Sequence, residues 1–193
     1  MTTVLLTGFE PFGTATSNPS GEIVKQISGD NIVTAILPVA YAGSAERLLE
    51  LIAEHNPDVV ICLGQAEGRT QITPEKVAIN LDDARLADNE GVLRNDVKIL
   101  DNGPDAYFTT LPISKMVEAI KAKGVPAAVS LSAGAFLCNH VFYVAQNKFA
   151  GTKARSGFVH VPLMDSQAPE FPGLPTMPLD QMVTAVRAML EVL

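Results

Sequence analysis

The sequence lacks the features that are typical of membrane proteins and nucleic-acid-binding proteins. No apolar run approaches the roughly 20 residues that span a bilayer. There is no basic cluster and the formal net charge is -7, which argues against nucleic acid or an anionic membrane surface as the main partner. The N-terminus also lacks the charged segment and long apolar stretch of a signal peptide. We therefore expect a soluble, cytoplasmic protein.

Motifs for binding metals and phosphate groups are absent as well. The sequence contains no His-Glu-x-x-His and no paired Cys and His residues spaced as zinc ligands. No Gly-Lys-Ser/Thr follows the loop after the first predicted strand, so this loop is not a phosphate-binding P-loop. These absences argue against a zinc site and a P-loop nucleotide site.

Cysteine is scarce, since the chain has only Cys62 and Cys138. Both residues follow or end strand-like apolar runs. Because we expect a cytoplasmic protein, we also expect both thiols to be reduced, and a disulfide between them is disfavoured.

The composition is that of a compact globular protein, with 47% hydrophobic and 18% charged residues. A length of 193 residues fits one domain with a sizeable core, and no repeat or linker divides the chain. Apolar runs and amphipathic segments alternate along most of it. We predict a single α/β domain over residues 1–193, with three α/β/α layers and a mostly parallel, mixed central sheet. The predicted strands are residues 4–7, 31–39, 58–63, 127–131 and 157–162.

Cys138 lies where a predicted helix begins. The apolar run 127–131 predicts a buried strand, the small residues 132–135 permit a tight turn, and apolar residues recur at helical spacing from Leu137. Unpaired N–H groups at a helix start favour a thiolate, and the same groups can stabilise an oxyanion. The alternative is a small buried side chain without reactivity, which is the common state of free cysteine.

A cysteine nucleophile needs an imidazole base, and the chain has three histidines. His140 is two residues after Cys138, so the two side chains point to different faces of a helix. His55 lies at the far end of another predicted helix. His160 lies at the carboxyl end of a late strand, the edge at which Cys138 also emerges if the two strands run parallel. Elimination favours His160 as the base, with an ordinary interior histidine as the alternative.

Four segments resemble, in the same order, the pyroglutamyl peptidase (pyrrolidone-carboxylate peptidase) family of cysteine peptidases. Ser130–His140 resembles the family's cysteine motif, and Phe158–Pro162 resembles its histidine strand. Gly64 and Gln65, continued by Ile72–Asn80, resemble the glutamate motif. Thr7–Gly13, with Asn18–Ser20 behind it, resembles the N-terminal loop. The similarity covers nearly the whole chain.

The resemblance implies an omega peptidase that hydrolyses the amide bond after an N-terminal pyroglutamyl residue through a thioester acyl-enzyme, without metal or organic cofactor. By motif position, Cys138 is the nucleophile, His160 the base and Glu75 the group that orients the imidazole, and we expect Cys138 and His160 to form an ion pair or near-ion pair. Arg85 is expected beside the reaction centre, supporting the oxyanion. The resemblance also implies a cytoplasmic homotetramer acting on N-terminally pyroglutamylated peptides. The expected substrate-binding residues are Phe9, Phe12, Asn18, Gln65, Phe136 and Leu137.

Two positions depart from the family pattern: Glu67 stands where a small residue is usual and Ala135 where threonine is frequent. Lys76 stands in place of arginine, which keeps the charge and lies within family variation. The Glu67 carboxylate either crowds the substrate loop or points to solvent. Two other functions stay open from the residues alone. One is a non-catalytic module that binds a pyroglutamate-sized ligand, and the other is a nucleoside phosphorylase of similar architecture.

Overall fold

Alternating strands and helices build a layered α/β structure. A computed structural model describes residues 2–193. Its strands are β1 (Val4–Phe9), β2 (Ile32–Leu37), β3 (Val59–Gln65), β4 (Thr73–Pro74), β5 (Val77–Ile79), β6 (Ala106–Phe108), β7 (Arg155–Val161), β8 (Leu163–Met164) and β9 (Thr176–Met177). Its α-helices are α1 (Pro19–Val24), α2 (Tyr41–His55), α3 (Ile113–Ala122), α4 (Leu137–Phe149) and α5 (Leu179–Leu190), and a short 3₁₀ helix spans Asp165–Gln167.

Five strands form the central sheet in the order β2-β1-β3-β7-β4. The first four are parallel to one another, and β4 runs antiparallel to β7. Every residue of β1 is buried, as are all residues of β3 before Gln65, as expected for strands covered on both faces. The predicted α/β fold with a mixed, mostly parallel sheet is confirmed.

The sheet separates two apolar clusters. Successive side chains of a strand point to opposite faces, so neighbouring sheet residues enter different clusters. Leu5, Val60 and Phe158 pack with α2 and α4, whereas Leu6, Ile61 and Val159 pack with α1, α3 and α5. This arrangement gives the predicted helix–sheet–helix layers. No helix within residues 2–193 combines the length and hydrophobicity needed to cross a bilayer.

The prediction that residues 127–131 form a buried strand is wrong. The segment forms only two isolated parallel bridges, Ile72 to Ala127 and Glu75 to Ser130, and Leu131 is 72% exposed. It lies alongside β4, beyond the last strand of the central sheet. Because β4 is antiparallel to β7, this segment also runs antiparallel to β7, so the parallel arrangement assumed in selecting His160 is wrong.

Two turn-rich segments contain regular structure. Residues 84–110 include β6, which pairs antiparallel with β5. Residues 165–178 begin with the 3₁₀ helix and include β9, which pairs parallel with β8. Gln167 in the 3₁₀ helix is fully buried, so this segment packs onto the rest of the fold instead of lying in solvent.

Candidate active site

His160 and Glu75 form a buried hydrogen-bonded pair at the carboxyl end of β7. His160 Nδ1 lies 2.7 Å from Glu75 Oε1, and the two residues are 4% and 0% exposed. The backbone holds the pair in register, because the Glu75 N–H donates to the carbonyl of Phe158 at 2.9 Å. A carboxylate only accepts hydrogen bonds, so the imidazole carries its proton on Nδ1 and keeps the Nε2 lone pair available.

Arg69 is a third member of this cluster, and the sequence analysis missed it. Its Nη1 donates to Glu75 Oε1 at 2.7 Å and also to the hydroxyl of Thr73, while Nη2 donates to the carbonyl of Ser132 at 3.1 Å. One carboxylate oxygen therefore accepts from both the guanidinium and the imidazole. Arg69 lies six residues before Glu75 in a glycine-bounded loop. Side chains six residues apart do not touch in a helix or in an extended strand, so the spacing gives no reason to expect this contact.

Cys138 lies in the first turn of α4, with Phe136 as the N-cap residue. Its sulfur packs against Gly64 of β3, where an added Cβ atom would lie 2.8 Å from Sγ and 2.6 Å from Cζ of Phe158. Gly64 is also the register partner of His160 in the β3–β7 pair. The absence of a side chain at Gly64 thus lets the thiol approach the strand pair that carries the imidazole.

Burial controls the protonation of both groups. It raises the pKa of the Cys138 thiol to about 12; the Glu75 carboxylate adds to this rise and Arg69 partly opposes it. Burial also lowers the pKa of His160, although the hydrogen bond and charge of Glu75 act in the opposite direction. In the free protein these directions favour a neutral thiol and a neutral imidazole. The ion pair between Cys138 and His160 that the sequence analysis expects stays a prediction.

A cavity of about 200 Å³ opens beside Cys138. This is below the roughly 300 Å³ at which drug-sized pockets begin, so the cavity suits a single small ring. Cys138 and all six expected substrate-binding residues line it, and Val39 and Glu67 complete the wall. The resemblance did not assign a role to Val39, whose position depends on how the chain leaves β2.

Aromatic rings form much of the cavity wall, and two amides supply polar groups. The rings of Phe12 and Phe136 are 5.3 Å apart at their centroids. Gln65 Oε1 accepts a hydrogen bond from Gln167 at 3.0 Å, an orientation that leaves its Nε2 for a ligand. Asn18 is more committed to the fold: its Oδ1 caps α1 by accepting from the Ser20 N–H, and its Nδ2 donates to the carbonyl of Glu10.

Arg85 is exposed, does not line the cavity and forms no hydrogen bond or ion pair within residues 2–193. Its expected place beside the reaction centre stays a prediction. Among the same residues, no group of three or more His, Cys, Asp or Glu side chains is arranged to hold a metal ion. The cationic group that contacts the buried carboxylate is Arg69.

Comparison with known proteins places the chain in a family. The family model for pyroglutamyl peptidase matches residues 2–193. The chain is 42% identical to a pyrrolidone-carboxylate peptidase of Bacillus cytotoxicus, covering 100% of this chain and 93% of that protein, and 48% identical to one of Aliivibrio fischeri, covering 94% and 87%.

Solved structures give the same result. The crystal structure of pyroglutamyl peptidase I from Bacillus amyloliquefaciens matches with a TM-score of 0.94 and 44% identity, covering 98% of this chain and 95% of that one. A mutant pyrrolidone carboxyl peptidase from Pyrococcus furiosus matches with a TM-score of 0.92 and 37% identity, covering 98% and 97%. The chain therefore belongs to the pyroglutamyl peptidase family of enzymes.

Proposed function

We propose that this protein removes the N-terminal pyroglutamyl residue from peptides through a thioester acyl-enzyme, with Cys138 as nucleophile, His160 as base and Glu75 as the group that orients the imidazole. The observation that carries the proposal is the 2.7 Å contact between His160 and Glu75 beside Gly64, against which the Cys138 sulfur packs. Membership of the pyroglutamyl peptidase family supports the choice of substrate.

The proposed reaction starts from a neutral thiol and a neutral imidazole. As sulfur attacks the pyroglutamyl carbonyl carbon, the thiol proton moves to His160 Nε2 and the carbonyl electron pair moves to oxygen. Glu75 accepts the Nδ1 hydrogen bond throughout and stabilises the imidazolium that forms. Because the reaction is proposed to start from the protonated thiol, this proton transfer accompanies the attack.

We assign stabilisation of the oxyanion to backbone N–H groups in the first turn of α4. The first N–H groups of an α-helix have no intrahelical acceptor, and no side chain caps this helix. When the tetrahedral intermediate collapses, the C–N bond breaks and His160 gives its proton to the leaving amine. A water molecule activated by His160 then attacks the thioester and releases pyroglutamate. The support predicted for Arg85 in this step stays a prediction.

The cavity accounts for a preference for the lactam ring. Phe9, Phe12 and Phe136 offer flat apolar surfaces, and the Gln65 amide offers a donor to the lactam oxygen. A proline ring has the same size but lacks that oxygen, so it leaves buried polar groups without partners. Such a loss discriminates more strongly than a missing methylene. Action without metal or organic cofactor, a cytoplasmic location and assembly into a homotetramer remain predictions of the family resemblance.

A pyroglutamyl reporter amide, in which hydrolysis releases a chromophore, tests the proposal directly. We expect turnover by the unmodified protein, none by Cys138→Ala, and turnover retained by the matched variant Cys62→Ala. Mass spectrometry of rapidly quenched reactions should detect the pyroglutamyl group on the peptide that contains Cys138. Equal hydrolysis of a prolyl reporter, or unchanged turnover by Cys138→Ala, would contradict the proposal. Tight binding of pyroglutamate without any turnover would indicate a binding module.

A further inference from the structure

A second cavity adjoins the one beside Cys138. It has a volume of about 390 Å³ and shares two wall residues, Phe12 and Glu67, with the first cavity. Leu86, Asp88 and Phe171 are among the other residues that line it. The two cavities therefore adjoin at Phe12 and Glu67, and Glu67 belongs to the wall of both.

The sizes of the two cavities suggest how a peptide is divided between them. The first cavity, at about 200 Å³, holds one small ring and has little room for another residue. The residue after the scissile bond must therefore lie outside it. An extended chain advances roughly 3.3 Å per residue, and the nearest space that shares wall residues with the first cavity is the second one.

The lining of the second cavity has negative charge without any compensating cation. Its two charged residues are Glu67 and Asp88, and no Lys, Arg or His lines it. Asp88 is already engaged, since its oxygens accept from the backbone N–H groups of Tyr41, Glu90 and Val92. The Glu67 side chain is exposed and forms no hydrogen bond or ion pair within residues 2–193. Glu67 is thus the anion that a ligand in this space would meet.

Apolar surface lies beside this carboxylate. Leu86 is 63% exposed, and Phe12 and Phe171 also line the cavity. Lysine and arginine side chains have an apolar stem and a charged end, so a basic side chain can pack its stem on these residues while its cation approaches Glu67. An acidic side chain in the same place would meet a like charge.

We infer, on the basis of the proposed function, that the second cavity receives the residue after pyroglutamyl and that Glu67 makes this subsite favour lysine or arginine over glutamate. The ion pair between Glu67 and the basic side chain would form near solvent, where such a pair contributes only modestly to the free energy of binding. We expect kcat/KM for a pyroglutamyl-arginyl peptide to exceed that of the glutamyl analogue by about two- to tenfold, since attraction in one and repulsion in the other combine.

The test compares matched peptides that carry arginine, glutamine or glutamate after pyroglutamyl. kcat/KM is the relevant constant, because it covers all steps up to release of the leaving amine. In Glu67→Gln the ratio between arginyl and glutamyl peptides should fall toward one, and in Glu67→Lys it should reverse. The matched control Glu46→Gln changes an exposed glutamate on α2, outside both cavities, and should leave the ratio unchanged.

Salt gives a second measurement on the unmodified chain. Raising the ionic strength from about 0.05 M to about 0.5 M shortens the Debye length and should reduce the preference for arginine. A ratio that is the same in the unmodified chain, Glu67→Gln and Glu67→Lys would overturn the inference while the peptides are still hydrolysed. If none of the three peptides is hydrolysed, the proposed function itself fails, and the two failures are therefore distinguishable.

Discussion

Oε1 of Glu75 lies 2.7 Å from His160 Nδ1 and 2.7 Å from Arg69 Nη1, so one buried oxygen accepts from both groups. This relationship fixes the imidazole ring and its tautomer. It also gives the carboxylate a positively charged partner, which offsets part of the free energy of burying a charge. The arrangement makes the roles of Glu75 and Arg69 experimentally separable.

Glu75→Gln should lower kcat/KM by about 10³- to 10⁴-fold, the loss seen when the orienting carboxylate of a catalytic triad is neutralised. Glutamine has nearly the same shape, but it leaves the imidazolium without a compensating charge and can donate to Nδ1, which selects the wrong tautomer. Steady-state hydrolysis of the reporter amide measures the loss. Glu118→Gln on the exposed face of α3 is the matched control. Equal activities of the two variants would remove Glu75 from the mechanism.

Arg69→Met removes a charge next to the site without changing the cavity lining. Because it leaves the buried Glu75 carboxylate with one partner fewer, we expect stability to fall by about 1–3 kcal/mol and kcat to fall by about 10- to 100-fold. KM should change less, since Arg69 does not line the cavity. Urea unfolding and reporter kinetics measure the two effects.

A control for Arg69 comes from a surface ion pair. Arg47 donates to Glu50 at 3.0 Å, and their side chains are 46% and 65% exposed. Arg47→Met should therefore cost less than about 1 kcal/mol of stability and leave kcat unchanged. If Arg69→Met behaved in the same way, Arg69 would have no positioning role.

The sequence predicts those parts of the site that depend on residue identity and strand order. An apolar run ending at Val161 predicts β7 and therefore the position of His160 at a strand end. The uniformly apolar sequence of β3 predicts a strand at the centre of the sheet. Gly64 in this strand has no side chain, which allows the Cys138 sulfur to pack closely against it. The family resemblance adds the cavity residues. Phe9, Phe12, Asn18 and Gln65 come together because they lie at the ends of the neighbouring strands β1 and β3 or in the loop after β1, whereas Phe136 and Leu137 reach the cavity from the start of α4.

Other features depend on packing that a linear pattern does not contain. The apolar run 127–131 has the composition of a central strand, yet it lies at the edge. A central strand differs from an edge segment in having a paired strand on both sides, and the composition of the run does not show whether a second strand is present. The contact between Arg69 and Glu75 depends on how the loop after β3 folds back. The raised pKa of Cys138 depends on its burial within the packed site, which the position of the residue at a helix start does not reveal.

The pH dependence of the reaction follows from the lowered pKa of His160. Protonated imidazole cannot accept the thiol proton, so kcat/KM should fall as the pH drops through the His160 pKa. Because burial lowers that pKa, the midpoint of this acid limb should lie below about 6.5, the ordinary value for histidine. A midpoint well above 6.5, measured with the reporter amide over a pH series, would contradict a neutral buried base.

Alkylation gives an independent measure of the protonation state of Cys138. With a thiol pKa of about 12, the thiolate fraction should rise about tenfold per pH unit through the neutral range. The rate of iodoacetamide labelling should follow this rise without a plateau. Cys62→Ala serves as the background, so that only Cys138 is labelled. A rate independent of pH between about 6 and 9 would instead indicate the thiolate–imidazolium ion pair.

Gly64→Ala tests the close approach of the sulfur to β3. The added carbon would lie 2.6 Å from Cζ of Phe158 and 2.8 Å from Cys138 Sγ, distances at which side chains must shift. We expect a loss of about 1–3 kcal/mol in the free energy of unfolding. We also expect kcat/KM to fall by about 100-fold or more, because a displacement of about 1 Å at a nucleophile is enough to misalign its attack.

A glycine elsewhere provides the comparison for this variant. Gly43 lies within α2, where its added carbon would come no closer than 3.2 Å to a side-chain atom of Pro38. Alanine is intrinsically favoured over glycine in a helix by about 1 kcal/mol, so Gly43→Ala should be stable and fully active. Urea unfolding and reporter kinetics on both variants separate the steric effect from a general glycine effect. If Gly64→Ala retained full activity, the thiol would not need the strand surface at Gly64 to reach the imidazole.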